Sequence, residues 1–253
     1  GVIGDLEAIT PASLFGRYRQ WLAEAQIDLY VAGDVTPEAV FELAAASFDA
    51  ARETPLPYRI GDPPAAKPAV KRVEEALDVS QGKLNIGLVL PVLVPDADYP
   101  AALVYNGILG GFPHSKLFVN VREKASLAYY ASSRYDGYKG MVMIQSGIDA
   151  KNRDRALSII EEQLDQLAAG RLSEAEMAQT KALIVSQLKE LGDSAFDMIA
   201  FDFNSVLTGV GRSPEGMARA VMDVAPDDVV RIARQVRMDT VYFLRDRQGG
   251  EAR

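Results

Sequence analysis

The sequence predicts an α+β fold, a mostly antiparallel sheet packed against helices. Three observations lead there. "KLNIGLVLP" is a nearly continuous apolar run, as in a strand of a sheet covered on at least one face. "LAYYASSRY" and "GMVMIQSGI" are strand-like runs joined at Asp136-Gly137, and those turn residues favour an antiparallel hairpin. Helical spacing fills much of the rest; Leu157, Ile160, Leu164 and Leu167 mark one buried face.

Taken in order, "TPASLFGRYRQWLAEA" opens with Thr10 as cap and Pro11 in the first turn, and Leu14, Tyr18, Trp21 and Leu22 give it one apolar face. "IDLYVAGDV" reads as a strand, and Thr36-Pro37 starts a second helix reaching roughly Ala50. From Thr54 to Pro68, "TPLPYRIGDPPAAKP" holds five prolines and a glycine, which no helix or central strand tolerates. A linker over residues 54–69 therefore separates a leading piece, 1–53, from a complete module over 70–248, with a tail at 249–253. Within the module, "ADYPAALVYNGILGG" is a helix stopped by Gly110-Gly111, and Phe112 to Lys124 reads as another. After the hairpin come helices at Arg153–Ala169 and Ser173–Leu191, further helical stretches to Val236, and "DTVYFLRD" as a closing strand. A helix–strand–helix piece of about fifty residues cannot bury a core alone. Trp21, Leu29, Val31 and Phe41 are therefore expected to expose apolar surface.

"ITPASLFGRYRQWLAEAQIDLYVAGD" near the start parallels "VAPDDVVRIARQVRMDTVYFLRD" near the end. Each has an N-terminal Pro, a helix with a glutamine at Gln20 or Gln235, and Asp28 or Asp239 opening a hydrophobic strand. Pro11 to Asp28 spans 17 positions and Pro226 to Asp239 spans 13; the difference of four is about one helical turn. Two homologous modules would produce this, the first represented only by its closing helix and strand. A chance likeness of two Pro-started amphipathic helices would also produce it.

The chain has 253 residues, 48% of them hydrophobic, enough for a substantial core. Its formal net charge is −8, which argues against nucleic acid as a partner and against anionic membrane surfaces. No cysteine is present, so disulfides, thiolate nucleophiles and Cys-based zinc sites are excluded together. That composition fits a bacterial cytoplasmic protein. No run approaches the ~20 apolar residues that span a bilayer. The sequence begins at Gly1 without a basic, apolar leader, and its start reads as a cut point.

His114 is the one histidine. Catalytic zinc usually takes three protein ligands rich in imidazole, and a His-x-x-Glu-His helix needs two histidines. Flanked by Pro113 and Ser115 after a glycine stop, His114 reads as a helix-start residue; no Gly-x-Ser-x-Gly elbow accompanies it. "QGKLN" lacks the upstream glycine of a phosphate loop, and Asp96–Asp98 lacks the glycine and terminal glutamate of a calcium loop. Glu74-Glu75 and Glu161-Glu162 read as solvated faces. Arg122 and Tyr129 are different. A planar fork of charged donors and a rigid phenol could together hold a peptide carbonyl or its oxyanion. Equally, Arg122-Glu123-Lys124 could be a charged helix end, and Tyr129 and Tyr130 strand residues facing opposite sides.

The order Leu109-Gly110-Gly111, Ser115, Leu117-Phe118, Arg122-Glu123-Lys124, Leu127-Ala128-Tyr129 resembles the pitrilysin/insulinase-type zinc metallopeptidases, which include the mitochondrial processing peptidases. Val121 stands where that family usually has leucine. "LSEAEMAQTKALIVSQL" also looks like the family's helix after the hairpin. The resemblance covers roughly Val70 to Asp246 as one module and Ile9 to about Arg52 as the tail of a preceding one. It implies a metallopeptidase half-module of the mitochondrial-processing-peptidase type, most like the zinc-less subunit of bacterial two-subunit members. It further implies zinc on a partner module or subunit, none in this chain, and no peptidase activity for the chain alone. Arg122 and Tyr129, seven positions apart, would then bind the substrate carbonyl or oxyanion in trans, and Gly110, Gly111 and Ser115 would belong to substrate binding. The implied partners are a zinc-bearing homologous module or subunit and a peptide or protein substrate. The alternative is a catalytically inactive module kept for assembly or peptide holding.

Overall fold

A computed structural model describes residues 2–47, 58–65 and 67–247. Linker residues 54–57 and 66, positions 48–50 over which the second leading helix is expected to continue, and the tail lie outside the described residues. Residues 70–247 form an α+β unit, a five-stranded sheet against helices, as the sequence predicts. The strands are β1 (Lys71–Leu77), β2 (Gly82–Val89), β3 (Ala128–Asp136), β4 (Met141–Ile148) and β5 (Arg237–Asp246), in the spatial order β1-β5-β2-β4-β3. Three neighbouring pairs are antiparallel, and only β1 with β5 is parallel.

β2 is central, and its inward residues Leu84, Ile86 and Leu88 are fully buried. Ile144 of β4 and Val241 and Phe243 of β5 continue that layer. Burying each such side chain stabilises by roughly 1.5–3 kcal/mol, which is what sets the register of the sheet. Helices α4 (Tyr99–Asn106), α5 (Arg153–Ala168), α6 (Glu174–Glu190), α7 (Ala195–Thr208), α8 (Pro214–Asp223) and α9 (Pro226–Gln235) follow the chain order. α4 packs on α8 and α9, α5 on α9, and α6 on α8. Tyr105, Ile160, Val221 and Ile232 are their fully buried contributions to the shared core.

Four differences from the sequence reading have physical causes. β1 reads as a solvated Glu-rich stretch because it is an edge strand with little burial; its parallel ladder to β5 supplies the order. The link between β3 and β4 is the turn Gly137–Gly140, longer than Asp136-Gly137, with Gly140 at φ 61°. The helix expected over Phe112–Lys124 begins late, and its last part, Phe118–Lys124, is π-helical. Lastly, "IDLYVAGDV" is not a strand. A strand needs a neighbour for its backbone groups, and among the described residues none lies beside it.

The leading piece contains α1 (Ile3–Glu7), α2 (Pro11–Glu24) and α3 (Pro37–Ser47), none with a buried residue. Trp21 is 60% exposed, Leu29 56%, Val31 51% and Phe41 74%, as a coreless piece requires. Contact with the module runs through an aromatic cluster. Tyr30 and Tyr58 both meet Phe203 of α7 edge-on, at centroid distances of 6.2 and 5.6 Å. The Tyr58 hydroxyl also donates to the Asp28 carboxylate.

Candidate functional site

The passage from α4 to β3 is where the backbone departs most from regular geometry. α4 continues into a π-helical turn at Gly107–Gly111, and a second π-helical segment follows at Phe118–Lys124. Single π turns inside helices recur at functional sites, because the wider turn re-aims side chains. Gly107 and Gly110 are needed on steric grounds. A Cβ on Gly107 would lie 2.5 Å from Thr180 Cγ2, and one on Gly110 would lie 2.5 Å from the Ser133 backbone nitrogen. Gly110 is buried beneath β3, whereas Gly111 is exposed beside the Asn106 side chain.

Ser115 is also fully buried, and its hydroxyl has no hydrogen-bond partner among the described residues. His114 sits at the same bend. Its Nε2 lies 2.8 Å from the Thr180 hydroxyl, and its ring stacks on Phe112 at 5.8 Å. Burial holds the imidazole below its ordinary value, against the opposing charge of Glu176. Lys116 pairs with Glu176 at 2.9 Å, and Asn120 donates to Gln163 at 2.8 Å, so the bend is pinned to α5 and α6.

Arg122 leaves the second π segment toward solvent, and its guanidinium lies 4.5 Å above the Phe118 ring. That contact orients it without neutralising it, and no carboxylate pairs with it among the described residues. Ala125 bonds back to Asn120 at 3.3 Å and Leu127 to Val121 at 3.2 Å, closing the segment. Between them Ser126 takes φ 51°, an uncommon value for a residue with a Cβ.

Tyr129 follows immediately, and its orientation depends on one irregularity. Along β3, Ala131 and Ser133 point into the core while Ser132 and Arg134 are exposed. Counting by twos places Tyr129 on the buried side with Ala131. The ladder instead slips between Ala128 and Tyr130, so that Ala128 faces Ile148 and Tyr130 faces Gly147, leaving Tyr129 without a partner residue. A bulge of this kind turns a side chain off its expected face. Tyr129 is consequently 68% exposed, on the segment that directly follows Arg122. Tyr130 is 39% exposed and lies over Gly147, where a Cβ would come within 2.5 Å of its ring.

The predicted residues thus divide. Arg122, Tyr129 and Gly111 reach the surface, while Gly110 and Ser115 lie beneath it. The bulge that exposes Tyr129 has no sequence signal of its own, because Ala128-Tyr129-Tyr130 fits an uninterrupted strand equally well. As for metal, among the described residues no three His, Asp or Glu side chains come together in a way that could hold an ion. With one histidine and no cysteine, the donor set does not fit a catalytic zinc.

Comparison with known proteins bears on the fold and the family. The family described as "Peptidase M16 inactive domain" matches residues 8–184. A Bacillus subtilis (strain 168) protein named "Probable inactive metalloprotease YmfF" is 40% identical over 249 residues, 98% of this chain and 58% of the relative. An "Uncharacterized zinc protease" of Streptomyces coelicolor is 25% identical over 93% of this chain and 53% of its own length. Among solved structures, a conserved protein from Enterococcus faecalis V583 superimposes with a TM-score of 0.90 at 32% identity, covering 99% of this chain and 59% of that one. A peptidase M16 inactive domain from Pseudomonas fluorescens shares the fold, with a TM-score of 0.73 at 19% identity over 97% of this chain and 60% of its own. The chain therefore spans between half and three-fifths of the length of these relatives. A family match over residues 8–184, joined to 40% identity along nearly the whole chain, makes it a member of the peptidase M16 inactive-domain family.

Proposed function

We propose that the chain is the non-metal half of a pitrilysin-type zinc peptidase, which binds extended polypeptide and supplies Arg122 and Tyr129 to a zinc site on another module or subunit. One observation carries the reading: the bulge before Tyr130 frees the Tyr129 phenol, close in the chain to an Arg122 that has no carboxylate partner among the described residues. A strand serving only the core would keep Tyr129 in the ladder. A permanently charged fork and a phenol are the donors that a peptide carbonyl needs as negative charge grows on its oxygen. Of the residues expected in substrate binding, Gly111 is exposed for that role, while Gly110 and Ser115, both buried, contribute by shaping the bend between α4 and β3. The partner would be a zinc-bearing homologous module, and the compartment the bacterial cytoplasm. No helix among the described residues is long and apolar enough to cross a membrane.

The family description and the name of the Bacillus relative favour a second reading, a module without any catalytic part that serves assembly or peptide holding. Reconstitution with the zinc-bearing half separates the two. Tyr129→Phe removes only the hydroxyl, and Arg122→Ala only an exposed side chain. Both variants are expected to assemble normally and to lose about 10²–10³ in kcat/KM for peptide cleavage. Wild-type cleavage by a normally assembled Tyr129→Phe complex would establish the assembly reading instead.

A further inference from the structure

The two edges of the sheet differ. β1 carries Lys71, Arg72, Glu74 and Glu75, charges that discourage another strand from pairing there. β3 has no charged residue from Ala128 to Ser133 and no proline, and beyond its bulge it pairs regularly with β4 from Tyr130 to Asp136. In an antiparallel pair, alternate residues turn both N–H and C=O away from the neighbouring strand. Among the described residues no strand lies on the outer side of β3, and no backbone group of residues 130–135 bonds outside the ladder. A row of unpaired backbone donors and acceptors is matched by another extended backbone.

A cleft of about 430 Å³ runs along this edge. Ser133, Arg134 and Tyr135 all line it, and three consecutive strand residues, whose side chains alternate in direction, share one space only along the strand's backbone edge. The Arg134 side chain itself lies with Ser132 on the exposed face of the sheet. Leu103, Phe112, Ile184, Leu188, Phe201 and Met217 give the cleft apolar walls. No Asp or Glu lines it, and the Arg212 guanidinium is held by the backbone carbonyls of Val94, Pro95 and Asp96. A charged side chain would enter without a counter-charge, whereas an apolar one would leave water for apolar contacts. Tyr129 stands on the same strand ahead of Ser133, about 13 Å away at ~3.3 Å per residue. We infer that the free edge of β3 takes up an extended polypeptide as an added strand, with one large apolar side chain in the cleft, about four residues from the position beside Tyr129. This rests on the polypeptide-binding half of the reading above and is independent of the carbonyl chemistry of Arg122 and Tyr129.

The test uses this chain alone and the fluorescence anisotropy of a fluorescein-labelled peptide, Lys-Thr-Thr-Phe-Thr-Thr-Lys. Replacing its Phe by Asp should weaken binding about 10- to 100-fold, the range for losing one large buried side chain. N-methylation of every second amide should act by parity. The alternate set facing β3 should lose about tenfold or more in affinity, and the set facing solvent less than about threefold. Gln187→Trp, at an exposed position of the cleft wall, should lower affinity about tenfold by filling the space, and Gln187→Ala should change it little. Circular dichroism would verify that both variants fold. Binding that tolerates both methylated sets, accepts Asp as readily as Phe, or ignores Gln187→Trp would overturn the inference and leave polypeptide binding itself standing. No binding below about 1 mM would overturn it together with polypeptide binding by this chain, while the reconstituted cleavage assay still measures the role of Arg122 and Tyr129. Hexadecanoate bound by a chain that ignores the peptide would make the cleft an acyl site instead.

Discussion

Lys116 reaches Glu176 across 2.9 Å with 9% of its side chain exposed, and Glu176 with 21%. Glu176 also closes the N-terminal cap of α6: the Ser173 backbone N–H donates to it at 2.7 Å, and the Ser173 hydroxyl accepts from the Glu176 N–H at 3.2 Å. Burial pushes the Glu176 carboxyl up, but the Ser173 N–H, the Lys116 ammonium and the Ser173 hydroxyl outweigh it and hold the group below its ordinary 4.5. A carboxyl depressed in the folded state contributes stability above its unfolded value, and the contribution disappears as pH falls through the folded value. Glu176→Gln should therefore destabilise at neutral pH by about 2–3 kcal/mol, below the ~3–5 of a fully buried broken pair because Glu176 still touches water. Denaturant titrations of both proteins should converge on acidification below about pH 4.5. Tyr129 lies at the same scale. Its residue type and its distance from Arg122 are legible in the chain, but its exposure is not, since it follows from a slipped ladder pair.

At the scale of elements, helix starts were the most legible. Thr10 and Ser173 cap α2 and α6 with their own hydroxyls, and Pro11, Pro214 and Pro226 each occupy a first turn. The π-helical segments were not legible, because Leu109-Gly110-Gly111 reads equally as a simple helix stop. Gly110 is instead a contact point: its α-carbon faces the Ser133 backbone, and an added methyl would also come within 2.9 Å of Leu117 Cδ1. Backbone cannot step aside as a flexible side chain can. Gly110→Ala is accordingly expected to cost about 1–3 kcal/mol, measured as a lower denaturation midpoint with an unchanged slope. Gly111→Ala, whose nearest neighbours are Asn106 atoms at 3.2 Å, should cost less.

For the whole molecule, the asymmetry between its two parts governs behaviour in solution. The module carries a continuous core from β2 to α9, whereas α1, α2 and α3 bury nothing. Leu14, Phe15, Tyr18 and Trp21 all face solvent on α2, between 50 and 61% exposed. A contiguous apolar face of this kind drives association unless something covers it. Light scattering of the chain alone should show mass rising with concentration, accompanied by a blue shift of the single tryptophan, Trp21. A monodisperse monomer with dilution-independent Trp21 emission would contradict that expectation.

By itself the sequence determined the α+β class, the β3–β4 hairpin, most helix starts, the coreless character of the leading piece and the family likeness. Each of these rests on local chemistry: apolar periodicity, prolines in first turns, and residues spaced closely along the chain. Only the tertiary structure decided that β1 joins the sheet, that residues 27–35 form no strand and that Tyr129 turns outward. Those outcomes depend on partners distant in sequence. A strand exists through the strand beside it, and a bulge through the register of the opposing ladder.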